Sequence, residues 1–154
     1  MKPSGTSRTS NIQIVSLAAP VRHAFQGMAA LASRPERSLD AGSVARRLHL
    51  PEAALSKCFQ RLAARGLLES RRGPGGGYRL TRAPRAVSLA EIASALDLAG
   101  ARKGRCVLRD RPCSDKTACV IHHAAGMADA RMKQALSRLT LADLVETHGR
   151  GRHG

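Results

Sequence analysis

Apolar residues recur at helical spacing along most of this chain, and the pattern breaks in two places. Leu17, Val21, Phe25, Met28 and Leu31 or Ala32 return every three or four residues, which predicts a helix opened by Ser16 and closed before Pro35. Pro20 lies in its first turn, where a missing N–H is tolerated. A shorter helix is expected from about Ala41 to Arg47, capped by Asp40. A third should run from Pro51 or Glu52 to Arg65, with no Ser, Thr, Asp or Asn at its start and Gly66 as its stop. The first break follows. Leu67–Arg72 and Tyr78–Thr81 are short extended runs on either side of Gly73-Pro74-Gly75-Gly76-Gly77, which reads as a β-hairpin. Ser88-Leu89-Ala90-Glu91 then forms a capping box, stapled by Val87 and Ile92, for a helix reaching about Leu98. The second break, residues 99–118, carries Gly, Pro, charge and cysteine without period and reads as a loop. From about Cys119 to Leu139 the stripe Ile121, Ala124, Ala128, Met132, Ala135, Leu136 and Leu139 restores helical spacing, and Thr140-Leu141-Ala142-Asp143 opens a last short helix. Residues 1–11 and 148–154 are polar and read as tails.

Composition sharpens this picture. The 154 residues suit one domain, with 43% apolar and only 2% aromatic residues, so the core must come from Leu, Ala, Val, Ile and Met. The expected fold is mainly α with a small β-hairpin. Lys and Arg number 26 against 11 acids, a net charge of +15, which predicts a polyanionic partner. No apolar run is long enough to span a membrane, and Ile12–Val21 is too broken for a signal-peptide core, so a cytoplasmic location is expected. No acid–base or nucleophile constellation points to an enzyme.

Three helices followed by a hairpin, with a short turn between the second and third, describe a winged helix-turn-helix. The third helix would turn Leu55, Phe59, Leu62 and Cys58 inward and leave Ala53, Ala54, Ser56, Lys57, Gln60 and Arg61 outside. Small side chains near its N-terminus allow close approach to base edges, while Lys57, Gln60 and Arg61 supply donors to bases or phosphates. Taken alone, this could be the surface of any helix; the hairpin favours DNA. Lys57 to Arg85 holds eight Lys or Arg and one acid, Glu69, and Arg71 and Arg72 border glycines that let backbone approach a phosphate or minor groove. The wing contacts are assigned to Arg71, Arg72, Gly73, Gly75, Gly76 and Gly77. The loop is not a nucleotide-binding motif, for it lacks Gly-Lys-Ser/Thr, and Tyr78 stands where a further glycine would be needed.

Cys106, Cys113 and Cys119 form C-x6-C-x5-C before the long helix. Grouped cysteines in a cytosolic chain suggest metal or redox chemistry, and thiolates suit iron–sulfur clusters, zinc or disulfide switching. His122, three residues after Cys119, would share its face if the segment is helical, whereas His123 would point elsewhere. Cys58, alone on an apolar face, reads as a small buried hydrophobe. An RNA-binding or electron-transfer protein is the weaker alternative, since three aromatic residues offer little for stacking bases.

The run from Leu39 to Leu98, with Leu55-Ser56-Lys57-Cys58-Phe59-Gln60-Arg61-Leu62, Gly66-Leu67-Leu68 and Arg72-Gly73-Pro74-Gly75-Gly76-Gly77-Tyr78, resembles the Rrf2 family of bacterial transcription regulators. The resemblance extends from about Ile12 to Val145 and implies a winged-helix homodimer on double-stranded DNA, with Cys119–Leu139 as the dimerisation helix. It also implies a repressor whose three cysteines hold an iron–sulfur cluster, sensing redox state or nitric oxide. His122 matches the histidine of the family's Cys3His site, which favours 2Fe–2S. In the nitric-oxide-sensing branch an aspartate near the first helix completes a 4Fe–4S cluster. Ala18-Ala19-Pro20 supplies no such ligand, but the first cysteine gap is one residue longer than the 2Fe–2S pattern, which keeps 4Fe–4S open.

Overall fold

The structure, a computed structural model, describes residues 17–96 and 119–150, of which 148–150 are described by their backbone alone. The expected tail 1–11, the Ser16 cap, the loop 99–118 and residues 151–154 of the expected tail 148–154 lie outside the described residues, while residues 148–150 of that tail continue the last helix. The order is α1 (Ala19–Ala32), α2 (Ala41–Leu48), α3 (Glu52–Ala64), β1 (Leu68–Arg71), β2 (Gly77–Leu80), a 3-10 turn (Pro84–Ala86), α4 (Leu89–Ala95), α5 (Val120–Arg138) and α6 (Leu141–Arg150). It is a mainly helical fold with one antiparallel hairpin, as the hydrophobic pattern predicts.

The ends of the helices follow local chemistry. α1 begins later than its apolar spacing suggests: Ala18 is its N-cap, with no side-chain cap and Pro20 in its first turn. Asp40 caps α2 by accepting the Ser43 N–H at 2.8 Å. α2 closes on His49 in the left-handed region (φ 54°), and the Leu50 N–H returns to the Ala45 carbonyl at 2.9 Å. Both expected capping boxes are present, Ser88 with Glu91 and Thr140 with Asp143. An isolated bridge joins their first residues, for the Leu89 N–H donates to the Leu139 carbonyl and the Leu141 N–H to the Val87 carbonyl, both at 2.9 Å. α4 and α6 therefore start side by side.

The core lies where α1, α3, α4 and α6 meet, and its fully buried members include Met28, Leu31, Leu55, Phe59, Leu62, Ile92 and Leu141. α1 crosses α3 at Gly27, where an added Cβ would stand 2.7 Å from the Phe59 ring, so this helix contact needs glycine. The pairing in the hairpin is Leu68 with Leu80, Glu69 with Arg79, Ser70 with Tyr78 and Arg71 with Gly77. Gly77, expected in the loop, is thus the first residue of β2. Its φ of 130° and the Leu39 backbone 2.4 Å from a would-be Cβ leave room only for glycine. Here Leu39 joins the edge of β2, exchanging N–H···O bonds with Tyr78 at 3.0 and 2.8 Å.

The long helix is the least covered. Cys119 is its N-cap, and of the stripe proposed from spacing only Leu136 is buried, with Met132 half-buried. Ile121, Ala124, Ala128, Ala135 and Leu139 are exposed. Among the described residues the C-terminal part of α5 packs on α4, which leaves most of the apolar stripe uncovered.

Candidate nucleic-acid interface

The reading helix α3 divides as its sequence spacing requires. Leu55, Cys58, Phe59 and Leu62 are buried, Ala53, Lys57, Gln60 and Arg61 are exposed, and Ala54 and Ser56 are intermediate. The first turn carries the small Ala53 and Ala54 together with the exposed Glu52, whose carboxylate lies beside Gly42 of α2. The hairpin is fixed to this helix by Tyr78, whose ring lies 5.1 Å from that of Phe59. Because Tyr78 also bonds to Leu39, immediately before the Asp40 cap, one residue of the hairpin is tied to both α3 and the start of α2. Tyr78 and Leu39 lie outside the set of interface residues expected from the sequence, and a lone tyrosine directly after a glycine run is the signal that points to them.

Arg71 and Arg72 are both exposed at the outer end of β1. Gly73 and Gly75 adopt positive φ with open space around them, whereas Gly76 is packed against the Arg71 carbonyl. The eight basic residues from Lys57 to Arg85 separate into two groups. Arg79 pairs with Glu69 across the strands, Arg82 with Glu91 at 2.7 Å, and Arg85 with Glu146 at 3.6 Å. Arg61 donates from Nη1 to the Leu96 carbonyl at 2.8 Å, so the structure engages it at the end of α4. The side chains of Lys57, Arg65, Arg71 and Arg72 form no hydrogen bond or ion pair among the described residues. With Glu69 neutralised by Arg79, the exposed side of α3 and the hairpin presents uncompensated positive charge, which suits a phosphate backbone.

Cys58 is 4% exposed, and its thiol faces the Pro20 carbonyl 3.6 Å away. Burial pushes this thiol above its ordinary value, which suits an inert core residue. On the sensor side, Cys106 and Cys113 lie outside the described residues. Cys119 is exposed, and His122 is half-buried with its ring 6.0 Å from that of His123. Cys119 and His122 are the N-cap and third residue of α5, and the Cys119 side chain makes no cap hydrogen bond. A thiolate and an imidazole so placed have donor chemistry that fits an iron–sulfur cluster or zinc. Among the described residues no group of three His, Cys, Asp or Glu forms a metal site.

A model of the Rrf2 family, described as an iron-dependent transcriptional regulator, matches residues 17–147. ORF2 of Azotobacter vinelandii, which bears the name of an HTH-type transcriptional regulator, is 30% identical over 125 residues, covering 80% of this chain and 75% of its own. IscR of T. potens shares the fold, with a TM-score of 0.69 at 23% identity over 92% of this chain and 94% of that one. CymR, the global cysteine regulator of B. subtilis, has a TM-score of 0.64 at 25% identity, covering 87% of this chain and 98% of that one.

Proposed function

We propose, since this chain belongs to the Rrf2 family of transcriptional regulators, that it acts as a repressor, gripping double-stranded DNA as a homodimer. In this reading α3 enters the major groove, with Ala53, Ala54, Ser56 and Gln60 against base edges and Lys57 on a phosphate or base. Arg71, Arg72 and the glycines of the hairpin lie along the neighbouring backbone or minor groove. The observation that carries the reading is the pairing of an unengaged cationic face on α3 with a hairpin anchored to that helix through Phe59 and Tyr78.

The partner in the dimer is a second copy, held through α5. Val120, Ile121 and Met127 are 79%, 40% and 62% exposed, and with Ala124 and Ala128 they fall within about a third of the helix circumference at 100° per residue. Val120 and Met127 were absent from the stripe read from the sequence and belong to the same face. An alanine-rich apolar strip lets two helices approach closely.

Cys106, Cys113, Cys119 and His122 are the proposed ligands of an iron–sulfur cluster, 2Fe–2S for the Cys3His set. Such a cluster supplies a redox- and nitric-oxide-sensitive centre whose loss frees its ligands. The family model's iron dependence supports this reading. A thiol switch among the same cysteines is the second reading, favoured by the likeness to the cysteine regulator CymR and by the exposure of Cys119.

The direct test is DNA binding by fluorescence anisotropy, on a duplex selected from a random library, at several salt concentrations. Lys57→Ala and Arg72→Ala should each weaken binding and lower the slope of log affinity against log salt by about one. Unchanged affinity and slope in both variants would remove α3 and the wing from the interface.

A further inference from the structure

Arg61 sits on the outer side of α3, one turn after Lys57, where a phosphate contact is the obvious role. Its guanidinium is instead turned to the end of α4, donating from Nη1 to the Leu96 carbonyl at 2.8 Å in a partly buried setting. That carbonyl belongs to the C-cap of α4 and is among those a helix leaves without an intrahelical partner. A cation there also meets the negative end of the helix dipole. The side chain of Leu96 is fully buried, so its carbonyl moves only together with the end of α4. α3 and α4 otherwise touch sparingly, and the Arg61–Leu96 bond spans the groove in which Pro20 and His23 of α1 face Ala54 and Lys57 of α3.

Covalent continuity gives this bond its significance. Leu96 directly precedes the segment carrying Cys106 and Cys113, and α5, which begins after Cys119, packs against α4. We infer that Arg61 is a positioning residue that ties the orientation of the reading helix to the state of the cysteine-bearing segment. The inference rests on the sensing reading above and adds the residue through which that sensing reaches DNA. A movement of the chain after Leu96 shifts the Leu96 carbonyl, and the guanidinium fork carries the shift to the turn of α3 that holds Lys57. Arg61 then contributes to regulation without spending its charge on a phosphate.

The test is amide hydrogen exchange on the full-length protein without DNA, in two pairs of states. One pair is protein reconstituted anaerobically with ferrous iron and sulfide against chelator-stripped protein; the other is diamide-oxidised against dithiothreitol-reduced protein. In at least one pair, exchange within residues 54–62 should differ by about fivefold, the scale of one net hydrogen bond. That difference should vanish in Arg61→Ala and in Arg61→Gln, whose shorter side chain cannot reach Leu96, while the change near Cys119–His123 persists. A merely structural Arg61 would raise exchange in α3 equally in both states and leave their ratio intact, which overturns the tether. State dependence at Cys119–His123 that never reaches α3 in the unaltered protein overturns the tether alone. No state dependence in either region removes the sensing reading, and the tether with it.

Discussion

α1 and α5 are both alanine-rich helices with an apolar stripe, yet α1 buries nine of its 14 residues and α5 only Leu136 of its 19. α1 sits in the middle of the reading head, with α3, α4 and α6 packed around it. Only the last turns of α5 reach the head, and its earlier turns carry Val120, Ile121 and Met127 into solvent. Periodicity therefore marks where an apolar face lies but says nothing about what covers it. A helix draws most of its stability from packing rather than propensity. Among the described residues the head is packed on itself, whereas the arm lacks a partner face, which we assign to a second copy.

The largest expected effect separates these two regions. Phe59→Ala should cost the head about 3–5 kcal/mol in urea denaturation, since Phe59 is fully buried against Gly27, Leu55 and Tyr78. Met127→Asp should leave the unfolding of dilute monomer within about 0.5 kcal/mol of the unaltered chain, as an exposed substitution does. In sedimentation equilibrium, however, it should weaken self-association by at least about tenfold, because the dimer would bury an unpaired charge. If Met127→Asp unfolded the monomer, the contrast between head and arm would be wrong.

A pair of glycines gives a smaller, sharper comparison. Gly75 and Gly77 both have positive φ (71° and 130°), but an added Cβ meets nothing within 4 Å at Gly75 and the Leu39 backbone at 2.4 Å at Gly77. Gly75→Ala should cost about 1 kcal/mol from backbone strain alone, and Gly77→Ala about 2–3 kcal/mol because it also pushes Leu39 off the edge of β2. Thermal unfolding measures both. Equal losses would mean that the Leu39–Tyr78 bridge contributes nothing to holding the hairpin.

Much of this was legible in the sequence where local chemistry decides the outcome. The Asp40 cap, both capping boxes, the Gly66 stop and the inward set Leu55, Cys58, Phe59 and Leu62 follow from side-chain size, spacing and hydrogen-bonding groups near in sequence. What escaped depends on partners far along the chain. Gly77 belongs to a strand because Leu39 approaches it, and the exposed Arg61 bonds through Nη1 to the Leu96 carbonyl because that acceptor lies within reach. Neither contact leaves a trace in the periodicity of a single segment. The expected cysteine ligands stand apart from both cases: Cys119 and His122 lie three residues apart at the start of α5, while Cys106 and Cys113 lie outside the described residues.

The smallest effect concerns acid, and it should fall on the head rather than the arm. The Asp40 carboxyl is held below its ordinary 3.8, chiefly by the hydrogen bond from the Ser43 side chain and then by the Ser43 backbone. Glu91 is held below 4.5, first by the hydrogen bond from Arg82 and then by the Ser88 backbone. Both lowered values mean that the folded protein favours the charged form. The stability these groups contribute is therefore fully present above their ordinary values and is lost as pH falls through the lowered ones. Each group is largely exposed, so solvent screens it and the contribution is that of a cap rather than of a buried charge. Asp40→Asn should retain much of the cap at neutral pH, because asparagine also accepts the Ser43 N–H, while Asp40→Ala should lose about 1 kcal/mol. As pH falls through the lowered value, the gap between the alanine variant and the unaltered chain should narrow without closing, since the protonated carboxyl loses its charge but still accepts the Ser43 N–H through its carbonyl oxygen. A gap between their urea midpoints that stays constant along this acid limb would show that the cap acts through shape rather than charge.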